Sequence, residues 1–380
     1  MRIVYSLDTL SIIGGIERVT VVKANALSAV AGNEVYIVVS NNWHKDVQFE
    51  LSPSVQLIDL GADDCQADYV EPTSVLARQY QARKQRKLRK KQIAGLLDEI
   101  SPDIVVSVGN GDRDALVSLK TDKWKLVREI HTERNHFVQH ATSFIEKLKV
   151  RIKRYYDEQY NMRKADKVVL LTSAELNTVW SKRHNFAVIP NPLSFKCDTP
   201  SNLNEKKVIS MGRLDSLKNF SSLINVFKLV SEKHSDWRLE IYGDGAERAS
   251  LQRQIEQSGL AGQVFLKGFT LHVLEELCRS SIFAMTSLSE GFGMVLLEAM
   301  ECGLPVVAYD CPTGPSHIID DGVNGYLVPM NEEQQMVERI CNLIEDRELR
   351  ESMGHRAREK AKDYQIEPIV DRWMQLFRGL

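Results

Sequence analysis

The chain has 380 residues, a formal net charge of −2, 43% hydrophobic and 26% charged residues. That length exceeds what one hydrophobic core supports, so two domains of roughly 190 residues each are expected. The composition excludes a disordered or collagen-like chain, and the near-neutral charge leaves the whole molecule no reason to coat nucleic acid.

From the amino terminus, Met1–Asp8 has too short an apolar run for a secretory segment and reads as a first buried strand, so a cytoplasmic protein is expected. Strands are predicted at Ile3–Leu7, Glu34–Val39, Ile104–Val108, Leu126–Ile130 and Val168–Leu171, with helices such as Glu17–Ala31 and Val75–Ile100 between them. The alternation then repeats, with strands at Val208–Met211, Arg238–Tyr242, Val264–Leu266, Ile282–Met285 and Val306–Tyr309 and helices beginning near Asn219, Ala246, Leu271 and Gly293. Strands alternating with helical crossovers make parallel α/β sheets. Two doubly wound Rossmann-like domains are therefore expected, over 1–190 and 191–365, with a helix over 366–380 returning to the first. The run Ile189-Pro190-Asn191-Pro192 and the polar stretch Lys196–Lys206 read as the linker. Ligands bind beyond the carboxyl ends of such sheets, so the chemistry is expected in a central cleft between two facing domains.

No run reaches the roughly 18 apolar residues that a membrane-spanning helix needs. The cysteines Cys65, Cys197, Cys278, Cys302, Cys311 and Cys341 show neither C-x-x-C nor zinc spacing, so reduced thiols and no metal are expected. Asp112-Arg113-Asp114 spells an Asp-x-Asp motif but reads as a helix start.

The most informative stretch runs from Ser287 through Glu290-Gly291-Phe292-Gly293-Met294-Val295 to Glu298. Its glycines let backbone approach a ligand, and the helix that follows offers amides and partial positive charge to an anion such as diphosphate. Were the stretch all helical, Glu290 and Glu298 would lie about 12 Å apart, too far to act on one atom. An extended ligand touched at two points explains the spacing better than an acid/base pair; a surface glutamate near a helix start is the plainer alternative. The second stretch, Ser210-Met211-Gly212-Arg213-Leu214-Asp215-Ser216-Leu217-Lys218-Asn219, ends a strand and sets two cations five residues apart. Arg213 with its forked donor and Lys218 as a point charge suit a departing diphosphate, the work usually given to magnesium, with solvated surface cations the alternative for this motif taken alone.

These residues resemble glycosyltransferase family 4, the retaining transferases with the GT-B fold. The likeness runs from Gly14-Gly15-Ile16-Glu17 through Tyr242-Gly243-Asp244-Gly245 to Asp321-Gly322-Val323-Asn324-Gly325-Tyr326-Leu327-Val328. It implies that Glu298 binds ribose hydroxyls, that Glu290 contacts sugar hydroxyls, and that amides after Gly291-Phe292-Gly293 hold phosphate. It also implies that Arg213 and Lys218 are the diphosphate ligands. Gly14 and Gly15 match a glycine turn opening toward donor phosphate and acceptor, a turn of the kind that a positive φ permits. His131 is implied to meet the donor sugar, while a satisfied buried ring remains the alternative; His136 and His140 follow in a polar segment. Ala246 stands where the family usually has proline after Gly243-Asp244-Gly245. The run Asp310–Ser316 resembles transferases of surface-polysaccharide and lipid-linked oligosaccharide pathways that use UDP-hexoses or UDP-N-acetylhexosamines.

Arg83, Lys84, Arg86, Lys87 and Lys90, with Arg78, Arg89 and Lys91, form an acid-free run on the helix Val75–Ile100, and a second basic stretch covers 147–156. Each basic residue near anionic lipid contributes about 1 kcal/mol, so peripheral contact with the inner face of the cytoplasmic membrane, or with a lipid-linked acceptor, is expected; a solvated helix face is the alternative. The sequence thus reads as a retaining, metal-independent hexosyltransferase that needs no cofactor and takes a UDP-linked sugar to a glycan or lipid-linked hydroxyl. A nucleotide-sugar epimerase on the same fold and a catalytically silent scaffold are the alternatives.

Overall fold

Runs such as Ile104-Val105-Val106 and Val208-Ile209-Ser210 are buried at every position, which a strand achieves only in the middle of a sheet covered on both faces. A computed structural model describes residues 1–40, 47–61, 75–109, 112–131, 144–176 and 185–380. It divides into two units, Met1–Pro192 with Ile366–Leu380, and Leu193–Gln365.

In the first unit the strands are β1 (Arg2–Leu7), β2 (Glu34–Val39), β3 (Val55–Asp59), β4 (Ile104–Val108), β5 (Lys125–Ile130), β6 (Lys167–Leu170) and β7 (Phe186–Val188). Among the described residues they form one parallel sheet in the order β3-β2-β1-β4-β5-β6-β7. The helix Ile366–Arg378 buries Ile369, Val370, Trp373, Met374 and Phe377 against the same core as Ile3, Tyr5, Leu27 and Val35. The second unit contains β8 (Lys207–Met211), β9 (Arg238–Tyr242), β10 (Val264–Gly268), β11 (Ile282–Met285), β12 (Val306–Tyr309) and β13 (Gly325–Val328). These also run parallel, in the order β10-β9-β8-β11-β12-β13. In each unit the chain winds outward from the first strand in one direction, then returns and winds in the other, which makes both sheets doubly wound.

The Ile189–Pro192 run lies at the division between the units, whereas Lys196–Lys206, expected to be linker, belongs to the second. Leu193, Cys197 and Leu203 are buried in the second unit, Glu301 accepts from the Cys197 amide at 3.0 Å, and Ser201 donates to the carbonyl of Ser280 at 2.5 Å. Its composition misleads because most of its polar side chains do face solvent, while the buried Cys197 and Leu203 between them anchor it to the unit.

The first unit also buries a charge pair. Lys23 and Glu129 are in direct contact, both side chains essentially inaccessible. The ammonium lies 4.9 Å from the Trp373 ring and 5.7 Å from that of Tyr5, a placement that aromatic faces favour. Burial opposes the charge on Glu129, but Lys23 and His131 outweigh it and hold the carboxyl at about 2; burial also lowers Lys23, and Glu129 offsets that only in part.

Removing one partner of such a pair costs about 3–5 kcal/mol, because the other charge stays buried. Lys23→Met is therefore expected to lower protection of β1 and β5 amides in hydrogen exchange by that amount, and Lys23→Met/Glu129→Leu to restore most of it. Because the folded carboxyl titrates below its ordinary value of 4.5, its contribution is complete above that pH and lost as pH falls toward 2. Protection of β5 should fall in that window.

Candidate functional site

In the second unit the order reverses between β8 and β11, which are adjacent with Val208 opposite Ile282 and Ile209 opposite Phe283. The connections leaving their carboxyl ends diverge to opposite sides of the sheet, and the space between them is where open α/β sheets take ligands. The two loops concerned are 212–219 and 286–293, the two stretches singled out in the sequence. They are joined to one another: Leu288 donates its amide to the carbonyl of Leu217 at 2.7 Å, and the Thr286 hydroxyl donates to that of Asn219 at 2.9 Å. At the rim Lys218 Nζ meets Glu290 Oε1 at 2.5 Å, with side-chain exposures of 23% and 9%.

Backbone packing sets this geometry. A Cβ on Gly243, whose φ is 136°, would overlap the carbonyl oxygen of Gly212. The Gly243 amide donates to the Gly268 carbonyl at 2.8 Å, and Gly212 donates to Tyr242 at 3.0 Å. The Gly243-Asp244-Gly245 turn thus supports the Gly212 loop from beneath, backbone against backbone.

Arg213 and Lys218 do not share one partner. Arg213 is 71% exposed and donates from Nε to Asp215 Oδ2 at 2.6 Å, while Asp215 Oδ1 accepts the amides of Leu217 and Lys218 at 3.1 and 3.2 Å. An exposed pair of this kind contributes about 0–1 kcal/mol, so the guanidinium turns to an anion at little cost.

After Glu290 the chain passes Gly291 and the buried Phe292, whose ring packs edge-on against Tyr364 at 5.9 Å. Gly293 then adopts φ 90° and the helix Met294–Glu301 begins with no side-chain cap. Met294 and Val295 are half-buried at its start, where uncapped amides and the helix dipole favour an anion. Glu290 precedes this helix and Glu298 lies within it, so an all-helical spacing does not apply. Glu298 is buried and accepts a hydrogen bond from the Ser194 hydroxyl. Nothing in the sequence marked Ser194, which follows the Pro-Asn-Pro run.

The far wall is Asp310–Ser316. Thr313 holds φ 74°, an uncommon conformation for a β-branched residue that costs of order 1–3 kcal/mol. Its hydroxyl donates to the Glu290 carbonyl at 2.6 Å, and a Cβ on Gly314 would come within 2.9 Å of the Glu290 Cβ. Burial, with the Glu290 charge nearby, pushes the Cys311 thiol up to about 12, which keeps it protonated.

The remaining candidates lie in the first unit. Gly14 is extended (φ −127°, ψ 165°) and Gly15 is the first helical residue, so neither uses the positive φ that was expected. The Glu17 carboxylate folds back over Gly14, so a Cβ there would meet only the movable end of that side chain. Burial pushes the Glu17 carboxyl up. The His131 side chain is 3% exposed, with Nε2 at 3.2 Å from Glu129 Oε1. His136 and His140 lie outside the described residues. Arg83, Lys84, Arg86, Lys87 and Lys90 are exposed along Val75–Ile100, whereas Arg89 turns inward to Asp112 at 3.5 Å. Asp112 also accepts from Ser40 at 2.6 Å and Ser6 at 3.3 Å, and Asp114 accepts from Arg113 at 3.1 Å, so both carboxylates of Asp-x-Asp serve the fold at the start of the helix Arg113–Leu119. Among the described residues no helix is long and apolar enough to cross a membrane. The described cysteines are free thiols, and three that no sequence spacing relates, Cys197, Cys278 and Cys302, come together in the second unit with their sulfur atoms within 4.8 Å of one another.

Residues 195–360 match the family model of glycosyl transferases group 1. An uncharacterized glycosyltransferase of Haemophilus influenzae is 34% identical over 215 residues, covering 55% of this chain and 60% of that protein. The poly(ribitol-phosphate) alpha-N-acetylglucosaminyltransferase of Staphylococcus aureus is 31% identical over 223 residues, covering 58% of this chain and 45% of its own length. The matches thus span about three fifths or less of these relatives. The S. aureus TarM crystal structure with fondaparinux, alpha-GlcNAc-glycerol and UDP superposes at a TM-score of 0.79, with 18% identity and 99% of each chain covered. The fold is GT-B, with two parallel-sheet Rossmann-like units.

Gly243→Ala should show how far the loops depend on backbone contact. Overpacking against a carbonyl that cannot rotate away is expected to cost about 3 kcal/mol, read as a lower thermal midpoint of the second unit and faster hydrogen exchange of the Leu288 amide.

Proposed function

We propose that this GT-B chain, whose second unit matches the glycosyl transferases group 1 model, is a retaining, metal-independent glycosyltransferase. It moves a hexose or N-acetylhexosamine from a UDP-sugar to a glycan or lipid-linked hydroxyl in the synthesis of a surface polysaccharide. The observation that carries this reading is the Lys218–Glu290 pair at the strand-order reversal, with Arg213 free to turn and Glu298 on the helix that follows. The named α-N-acetylglucosaminyl relative and the UDP bound to TarM support the donor class.

The diphosphate lies over the uncapped amides that follow Gly291-Phe292-Gly293, where helix dipole and backbone donors face its negative charge. Lys218 and Arg213 take the charge that grows on the phosphate as the glycosidic bond breaks, the role of preorganised electrostatic stabilisation. Glu298 accepts a ribose hydroxyl, exchanging the Ser194 hydroxyl for it. Glu290 is committed to Lys218 and meets sugar hydroxyls rather than attacking carbon. The departing phosphate oxygen takes the acceptor proton on the face it leaves, so the anomeric configuration is kept without an enzymic nucleophile. The acceptor belongs to the first unit. There the exposed cations of Val75–Ile100, and Leu148, Ile152, Tyr155 and Tyr156 exposed on the helix Phe144–Tyr156, suit an anionic membrane surface at the inner face of the cytoplasmic membrane.

Thermal unfolding with UDP, GDP, ADP and CMP at matched concentration tests the donor. UDP at about 100 times Kd should stabilise the second unit by roughly 2.7 kcal/mol, and Glu298→Ala should lose the effect; stabilisation by none of the four would end this reading. With donor saturating, Arg213→Ala and Lys218→Ala should each lower turnover about 10²–10³-fold with the folded state intact, and near-normal turnover would remove their role. On the acceptor side, Lys84→Glu/Lys87→Glu/Lys90→Glu should weaken binding to phosphatidylglycerol vesicles about 100-fold or more, at about 1 kcal/mol for each basic residue lost. Equal binding would assign these residues to a solvated helix face.

A further inference from the structure

Three cysteines far apart in sequence converge behind the helix Met294–Glu301. Cys197 lies on the segment that enters the second unit, Cys278 ends the helix Val273–Cys278, and Cys302 caps the carboxyl end of Met294–Glu301. Cys197 Sγ and Cys278 Sγ are 3.5 Å apart, and all three sulfur atoms lie within 4.8 Å of one another. A zinc–sulfur bond of about 2.3 Å in a tetrahedral site sets its sulfur atoms about 3.8 Å apart, so shifts of about 1 Å or less bring the three side chains to the spacing of ligands on one ion. Among the described residues their side-chain partners are one another and a single carbonyl. The Cys197 and Cys278 sulfurs both approach the single carbonyl of Thr199, at 3.3 and 3.5 Å, and one oxygen is a weak partner for two thiols. Cys197 and Cys302 are buried while Cys278 is half-buried, which leaves one side open for an ion to enter and for a fourth ligand from solvent.

We propose that Cys197, Cys278 and Cys302 form a binding site for a thiophilic divalent cation, with zinc as the type. The ion takes three thiolates and one water, and the three thiol protons pass to solvent. Three thiolates on a divalent ion carry one net negative charge, and a compensating cation is in place: the Arg358 guanidinium donates to the Cys197 carbonyl at 2.5 Å.

The site has a structural consequence. The Cys302 amide donates to the Glu298 carbonyl at 3.2 Å, Ser194 donates to the Glu298 carboxylate, and Glu301 accepts the Cys197 amide. The segment Ser194–Cys197 is thus laced to the helix that carries Glu298, and an ion on Cys197 and Cys302 adds a further tie between the same two elements while anchoring both to Val273–Cys278. It holds the donor helix from the end remote from the diphosphate and takes no part in the transfer chemistry. The proposal stands whether or not the transferase reading does.

The test is titration of the reduced, chelator-treated full-length protein with Co²⁺. One equivalent should bind, with thiolate-to-cobalt charge transfer in the near ultraviolet, and one equivalent of Zn²⁺ should displace it and raise the thermal midpoint. Cys278→Ser, at the half-buried position where folding is least at risk, should weaken binding more than about 100-fold, beyond what loss of an outer-shell partner does. Cys302→Ser should do the same, and Cys65→Ser should not. Absence of the charge-transfer band at one equivalent, or a band that survives Cys278→Ser, would overturn the proposal. So would loss of two of these thiols as a disulfide under conditions where no metal is retained.

Discussion

The second unit depends on where its strand order reverses. Because β8 and β11 are neighbours in the sheet while their crossovers leave in opposite directions, the loops 212–219 and 286–293 are brought edge to edge, with Lys218 meeting Glu290 at the rim. The sheet supplies the opening. The sequence on each loop then supplies what faces it: cations on 212–219, and a glycine-flanked helix start on 286–293. Had the strand order run in one direction only, Lys218 and Glu290 would sit on separate edges and neither loop would complete the other.

That arrangement is held by close backbone contact more than by side chains. Gly243 against Gly212, and Gly314 against Glu290 and Phe292, bring main chain to distances that any side chain would prevent. Thr313, strained at positive φ, is fixed by its bond to Glu290. Such sites are rigid because their donors are amides and carbonyls already committed to a fold. The groups left adjustable are the ones a ligand must recruit: Arg213, on an exposed and therefore weak pair, and Lys218, already balanced by Glu290. In the first unit the opposite choice is made. Lys23 and Glu129 are sealed beneath Trp373, so their charges lock the last helix to the sheet and are unavailable to solvent.

Much of this was legible in the sequence. The buried central strands announced themselves as unbroken apolar runs. The three strands that the sequence does not mark, β3, β7 and β13, lie at sheet edges; β3 and β7 are only partly buried, which breaks the apolar run, and β13 opens on a glycine. Gly14 and Gly15 suggest a positive-φ turn in the sequence, but Gly14 is extended and Gly15 begins a helix, so neither uses glycine's conformational freedom. Lys196–Lys206 reads as linker because its polar side chains are mostly exposed, and composition does not show that Cys197 and Leu203 between them are buried.

The sequence alone determined the two repeats of strand and helix, their parallel sheets, and which loops bear the charged and glycine-rich stretches. It did so because periodicity and turn chemistry are local. What only the tertiary structure decided are the pairings across long separations: Lys218 with Glu290, Ser194 with Glu298, Lys23 with Glu129, and Cys197 with Cys278 and Cys302. Each joins residues between 24 and 106 positions apart, on elements whose adjacency is set by strand order. No spacing rule reaches that far, because the distance between such residues is a property of the sheet and not of the chain between them.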